Sequence, residues 1–308
     1  MTILSTALTD RFLSITGPDA IKFLQGQTSC DLNTLTDKNF SFSTLNTPKG
    51  RMYCLFKVIQ VEDGLLLCMS ESLLDSTLQR LNKYAAFFKC ELKEETSYRA
   101  IGFTSLEPND YEHGLKQVGL DSSSLSALVQ DDGNMWINVS LHRRMGQLWT
   151  KNIDNLPQVL TNTALIELEH WNALETQIGI PAIYVSSQEE FILQYLNLHH
   201  LGAVSFKKGC YTGQEIIARM KFLGKQKKQA YLLHSETQNT TSPLSAVYDS
   251  EGKKCGTLIR AHFAKECGTF ALAILPIEQA LNFPNVYLDE GLNAAFTVRD
   301  IDYSEFKK

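Results

Sequence analysis

The chain has 308 residues, 44% of them hydrophobic, enough to bury more than one core, and its length favours two or three domains over one. Its 29 basic and 34 acidic residues leave a formal charge of −5, which argues against indiscriminate binding to nucleic acid. No run approaches the ~18 consecutive apolar residues of a membrane span, and the opening M-T-I-L-S-T-A-L-T-D-R lacks the basic-then-apolar order of a signal peptide, so a cytoplasmic protein with no membrane partner is expected.

The first ~95 residues read as mixed strand and helix. Pro18 suits the first turn of a short helix carrying Ile21 and Leu24, and Gly26 suits its end. Pro48 to Gly50 is a turn, and Arg51 to Val61 a strand. Glu62, Asp63 and Gly64 form a hairpin signal, with Leu65 to Met69 as the partner strand. Leu74, Leu78, Leu81, Ala85 and Phe88 then recur at the spacing of an amphipathic helix. A second passage, from Tyr98 to Thr150, reads β-α-β-β with a turn at Asp131 to Gly133. A further helix spans about Leu165 to Gln177 and stops near Gly179 and Pro181. Gln214 to Met220 has helical spacing at Ile216, Ile217 and Met220. After Gly224 short β-prone runs at Gln229, Ala246, Gly256, Phe270 and Ala294 favour a small barrel. The terminal Phe306-Lys307-Lys308 is expected to fray.

The chemistry concentrates at K-G-C-Y-T-G-Q-E, Lys208 to Glu215. Its glycines permit a tight turn, and Lys207, Lys208 and a helix start are expected to lower the Cys210 thiol pKa from ~8.5 and enrich the thiolate. The bland alternative is a small structural hydrophobe. From Ser205 to Lys228 seven basic residues face one acidic one, a patch able to gather an anionic ligand. The seven cysteines are irregularly spaced without a C-x-x-C pair and read as reduced thiols. Neither zinc spacing nor a cluster-ligand run is present, and G-x-S-x-G, G-x-G-x-x-G and the P-loop pattern are absent.

The run S-F-K-K-G-C-Y-T-G-Q-E, Ser205 to Glu215, resembles the signature of the YgfZ family, folate-binding relatives of the glycine-cleavage T protein. T-G-P-D-A (Thr16 to Ala20), F-L-Q-G-Q-T-S-C-D (Phe23 to Asp31), P-K-G-R-M (Pro48 to Met52) and H-W-N-A-L-E-T-Q-I-G-I-P (His170 to Pro181) are similar to the family as well. The resemblance implies an α+β, GcvT-like multidomain fold: two α+β lobes of ferredoxin-like character and a small C-terminal β-barrel. The expected division is residues 1–95 with 163–225 as the folate-binding lobe, 96–162 as a second lobe and 226–308 as the barrel.

It also implies tetrahydrofolate, or a one-carbon derivative, as the cofactor. Trp171 falls on a tryptophan associated with folate in the family, and Glu175 on the acidic position that faces the pterin in T proteins. As a helical tryptophan, Trp171 is also a natural core residue. Lys208, Tyr211 and Gln214, which flank the thiol, are expected to contact the folate, and Arg51 is placed to meet its carboxylate tail by a bidentate pair; surface solvation at a turn explains Arg51 equally well. The implied function is assistance to iron-sulfur cluster assembly or repair in client enzymes, such as radical tRNA-modifying enzymes, with folate in a cleft between lobes, Cys210 at its edge and no direct nucleic-acid contact. A folate-dependent aminomethyltransferase or demethylase is the alternative. A nucleic-acid module using Lys221 to Lys228 is a third reading, opposed by the overall acidity.

Overall fold

The computed structural model describes residues 3–130, 132–161, 163–265 and 267–306. Asp131 of the expected turn and the terminal Lys307 and Lys308 lie outside the described residues. The strands in chain order are β1 (Ile3–Ala7), β2 (Arg11–Thr16), β3 (Ser41–Asn46), β4 (Met52–Val61), β5 (Gly64–Met69), β6 (Glu91–Glu94), β7 (Arg99–Ser105), β8 (Ala127–Val129), β9 (Met135–Ser140), β10 (Met145–Thr150), β11 (Ala164–Leu165), β12 (Lys228–Ser235), β13 (Ala246–Asp249), β14 (Lys254–Ala264), β15 (Gly268–Pro276), β16 (Val286–Tyr287) and β17 (Ala295–Arg299). The helices are α1 (Ala20–Gln25), α2 (Leu74–Ala85), α3 (Pro108–Val118), α4 (Gln158–Thr161), α5 (Leu168–Gln177) and α6 (Gln214–Phe222).

Two compact units divide the chain: residues 1–45, 54–168 and 202–212 form the first, and 46–53, 169–201 and 213–308 the second. The first carries two open sheets. One, in the order β3-β4-β5-β2-β6, grows from the expected hairpin, in which Val61 pairs with Gly64 across Glu62 and Asp63. Its strands β2, β4 and β5 are largely buried, and α2 packs beside β2 and β6 with Leu74, Leu81 and Ala85 turned inward. The other sheet runs β11-β1-β7-β10-β9-β8, antiparallel except for the β1–β11 pair. It takes one strand from the N-terminal residues, so the β-α-β-β passage shares its sheet with Ile3–Ala7. Ile3, Phe103, Tyr111, Leu115, Trp136 and Leu148 make its core with α3.

The second unit contains α5, α6 and the expected barrel, which closes in the order β12-β15-β14-β13-β16-β17 through a β12–β17 pairing. Alternating residues of these strands, including Leu233, Leu258, Ala271, Ala273 and Phe296, fill the interior, as the period of two in a strand requires. Two sheets with packed helices plus a small closed C-terminal barrel match the α+β, GcvT-like architecture that the resemblance implies. No helix among the described residues is long and apolar enough to cross a membrane.

Two histidines of the second unit make it acid-sensitive. Burial, with His200 and Lys221 nearby, pulls the His199 pKa from 6.5 down to about 4. Burial and the Arg260 charge do the same to His262, down to about 4, against the opposing pull of Glu169. Both rings are therefore neutral in the fold, and the unfolded chain takes up protons first as pH falls. Their stability contribution is full above pH 6.5 and is lost between there and about 4. We expect a loss of ~2–4 kcal/mol after allowing for solvent screening, read from urea midpoints at pH 7 and pH 4.5. A His199→Gln/His262→Gln protein should flatten that dependence; an equal loss in the double variant would refute the assignment.

Candidate functional site

The thiol motif straddles the division of the chain, with Lys208 to Thr212 in the first unit and Gly213 onward in the second. In the first unit the segment lies against the loop after α1. Ser29 Oγ donates to Ala203 O (2.6 Å), Ser205 N to Ser29 O (2.9 Å) and Thr212 N to Gly26 O (3.1 Å). The F-L-Q-G-Q-T-S-C-D and K-G-C-Y-T blocks, far apart in sequence, are thus one structural feature.

Lys208 is the pin that joins them. Its side chain is buried, and its ammonium donates to Gln25 O (2.7 Å), Thr28 O (2.9 Å) and Cys30 O (2.6 Å) while lying 5.2 Å from the Tyr211 ring centroid. All three ammonium protons are used. Burial lowers its pKa from 10.5 to about 8, opposed by Cys30 and Asp31, so the charged form still holds at neutral pH. Of the two lysines expected to flank the thiol, Lys208 therefore turns its charge into the loop, and only Lys207 is exposed.

Cys210 is exposed, and the neighbouring Gly209 faces open space. It stands three residues before Gly213, the N-cap of α6, outside the first turn over which a helix-end field acts. Beside it Tyr211 is 7% exposed, with no partner for its hydroxyl among the described residues, and burial raises its pKa to about 12.

In the second unit the motif continues with Gly213 at φ +86°, where a Cβ would meet Thr47 O at 2.6 Å and Gly50 Cα at 3.2 Å. At Gly50, with φ +69°, a Cβ would meet Ile216 Cβ at 2.9 Å. Glycine at both positions lets the P-K-G-R turn and the start of α6 touch backbone to backbone. Gln214 opens α6, and the exposed Arg51 donates from its guanidinium to Glu190 O.

Helix α5 places Trp171 and Glu175 in the same unit. Trp171 is 1% exposed, its ring enclosed by protein. Glu175 pairs with Arg260 of β14 (3.5 Å), whose guanidinium also donates to Ile180 O (3.2 Å) and Asn172 O (3.3 Å). Two residues along β14, on the same face, His262 Nδ1 lies 3.0 Å from Glu169 Oε1, which also accepts from Phe263 N (3.2 Å). In a neutral ring that contact puts the proton on Nδ1 and leaves Nε2 as an acceptor. Arg260 Nε and His262 Nε2 are buried without a partner among the described residues, a donor and an acceptor left over on one strand. Neither Arg260, His262 nor Glu169 was among the residues singled out from sequence. The available signal was L-I-R-A-H, charge alternating with apolar residues in a strand whose polar members share one face.

No family model matches the chain. It is 28% identical over 269 residues to the tRNA-modifying protein YgfZ of Aliivibrio fischeri, covering 86% of this chain and 82% of that protein. The tRNA-modifying protein YgfZ of Photobacterium profundum is 28% identical over 301 residues, 95% of this chain and 88% of the relative. The chain is similar to the YgfZ proteins over most of its length. Among solved structures, the glycine cleavage system aminomethyltransferase T of Bartonella henselae superposes with a TM-score of 0.74 at 13% identity, over 99% of this chain and 87% of that one. The fold is thus GcvT-like, and the two blocks that meet at Lys208 are among those on which the YgfZ resemblance rests.

Proposed function

We propose that this chain is a cytoplasmic, tetrahydrofolate-binding protein that assists assembly or repair of iron-sulfur clusters in client enzymes, and so supports tRNA modification indirectly. The observation that carries this reading is the exposed Cys210 on a segment fixed by the buried Lys208. A protein that needed the cysteine only for packing would bury it. Here the surroundings are ordered and the sulfur is left open, as a group that meets a partner requires. The names of the relatives, both tRNA-modifying proteins, support the reading at the coarser level.

The residues present suit a folate. Glu175 beside Arg260, with the unpaired Arg260 Nε and His262 Nε2, offers acceptors and donors together, the complement of a pterin edge. In the same unit, the exposed Arg51 and the half-exposed Gln214 are polar groups for the remainder of the ligand. When bound, a reduced folate supplies a one-carbon unit. The chain's own residues hold and orient it, and Cys210 presents a thiol to the iron or sulfur of a client.

Titration of the purified protein with tetrahydrofolate, followed by tryptophan fluorescence, is expected to show one saturable site weakened at least tenfold in Glu175→Gln; unchanged binding in that variant removes α5 from the site. The aminomethyltransferase reading shares the scaffold and predicts folate-dependent methylene transfer from an amine donor. Turnover in that assay would decide for it.

A further inference from the structure

The first unit contains a cavity of about 960 Å³, at the upper end of the range for small-molecule sites. Lys208, Cys210 and Tyr211 do not line it. Among the described residues its rim carries Asp37, Glu62, Asp63 and Glu95 against one cation, Lys151. Asp37, Glu62 and Asp63 are exposed, and none has an ion-pair partner among the described residues. Glu95 is half-buried and accepts from Ser97 N (3.2 Å) and Ser97 Oγ (2.6 Å). Those bonds, with Lys151 and Lys93, hold its carboxyl below the usual range, so it is ionised at neutral pH.

A second feature points to a ligand independently of the carboxylates. Tyr98, also in the lining, is 9% exposed, and its hydroxyl has no partner among the described residues. Its ring is fixed by Phe12 at 5.6 Å and already lies under a cation, Lys151 Nζ, 4.8 Å from the centroid. The hydroxyl belongs to a side chain otherwise enclosed by protein and borders an open cavity, in which a ligand can supply its partner. The rest of the lining mixes aliphatic side chains, Val61, Leu66, Val129 and Met135, with neutral polar ones such as Gln60 and Gln130.

The carboxylates are spread rather than convergent. No group of three or more acidic, His or Cys side chains among the described residues is placed to hold a metal ion. Separated anions on a partly aliphatic wall, with a tyrosine hydroxyl, match a linear molecule in which ammonium groups alternate with methylene chains. We propose that this cavity is a binding site for an aliphatic polyamine. One ammonium lies against Glu95 and the Tyr98 hydroxyl, another reaches Glu62 and Asp63 at the β4–β5 turn, and the methylenes cover the aliphatic wall. No bond is made or broken; binding is by charge-assisted hydrogen bonds and burial. The site is independent of the folate reading.

Calorimetric titration of the full chain with spermidine tests this, with Mg²⁺ at matched ionic strength as a charge control. Saturable one-site binding is expected, weakened about tenfold or more in Glu95→Gln and about three- to tenfold in Tyr98→Phe, with Mg²⁺ unable to displace the polyamine. Tyr98→Phe keeps the ring and its packing, so it remains informative if Glu95→Gln melts early. Absence of saturation overturns the proposal, as does equal affinity in wild type and both variants. Displacement by Mg²⁺ would mean diffuse attraction alone, and binding of a Lys/Arg-rich peptide without spermidine binding would assign the cavity to a protein partner; either result also overturns it.

Discussion

Lys208→Met should lower the unfolding free energy by about 2–4 kcal/mol, because three buried carbonyls lose their donor and a cation–π contact disappears. Methionine fills the aliphatic volume of the stem, so the loss isolates the ammonium rather than a cavity. The size reflects opposing effects. Burial alone disfavours the charge, as its lowered pKa records, whereas the carbonyls of Gln25, Thr28 and Cys30 converge on it from one loop. Removing one side of a buried polar cluster is worse than removing both. Lys208→Arg should not rescue, since a planar fork cannot make three converging bonds from one nitrogen. Denaturant unfolding gives the magnitude, and hydrogen exchange should show faster opening confined first to residues 203–212 and 26–30. A change below ~1 kcal/mol would mean that the carbonyls find other partners, against the usual cost of leaving buried acceptors unpaired.

Trp171→Ala should be the most destabilising substitution in α5, by ~3–5 kcal/mol, the usual range for removing a fully enclosed aromatic. The ring is 1% exposed, so its removal opens a hole that the helix, held by Arg260 through Asn172 O and Glu175, cannot readily collapse into. Any loss of folate affinity in this variant is then partly a folding effect. Trp171→Phe separates the two: it keeps most of the packing, and its folate affinity should fall less than twofold if the tryptophan acts by supporting α5, or as much as in the alanine variant if the indole itself touches the pterin. Thermal melts of both variants supply the correction.

Much of the architecture was legible because local signals and global packing agree. The hairpin at Glu62 to Gly64, the helix after Leu74 and the barrel strands each carry a period matching the face they bury. Pairing between distant segments was not legible. Nothing in I-L-S-T-A announces that Ile3–Ala7 joins β7 and β11, since a five-residue strand specifies its own faces but not its neighbours. The site divides in the same way. Cys210 stood out through its motif, and its exposure accords with a reactive role. Lys208 looked like a cation available to the thiol; only the fold reveals the three carbonyls, from residues some 180 positions earlier, that claim it. Arg260 and His262 sit in a barrel strand that reads as scaffold, and their meaning comes from Glu175 and Glu169 on a helix more than eighty residues away.

The proposed function depends on Cys210 more than on any other residue. In cells lacking this protein, complementation with Cys210→Ser measures that directly, with activity of an iron-sulfur-dependent tRNA-modifying enzyme as the readout. At an exposed position the exchange should alter stability by no more than ~0.5 kcal/mol, so the variant should accumulate normally and bind folate as the wild type does. The predicted result is loss of client-enzyme activity with folding and folate binding intact. Full restoration of that activity by the serine variant would contradict the account and leave the cysteine as part of the scaffold.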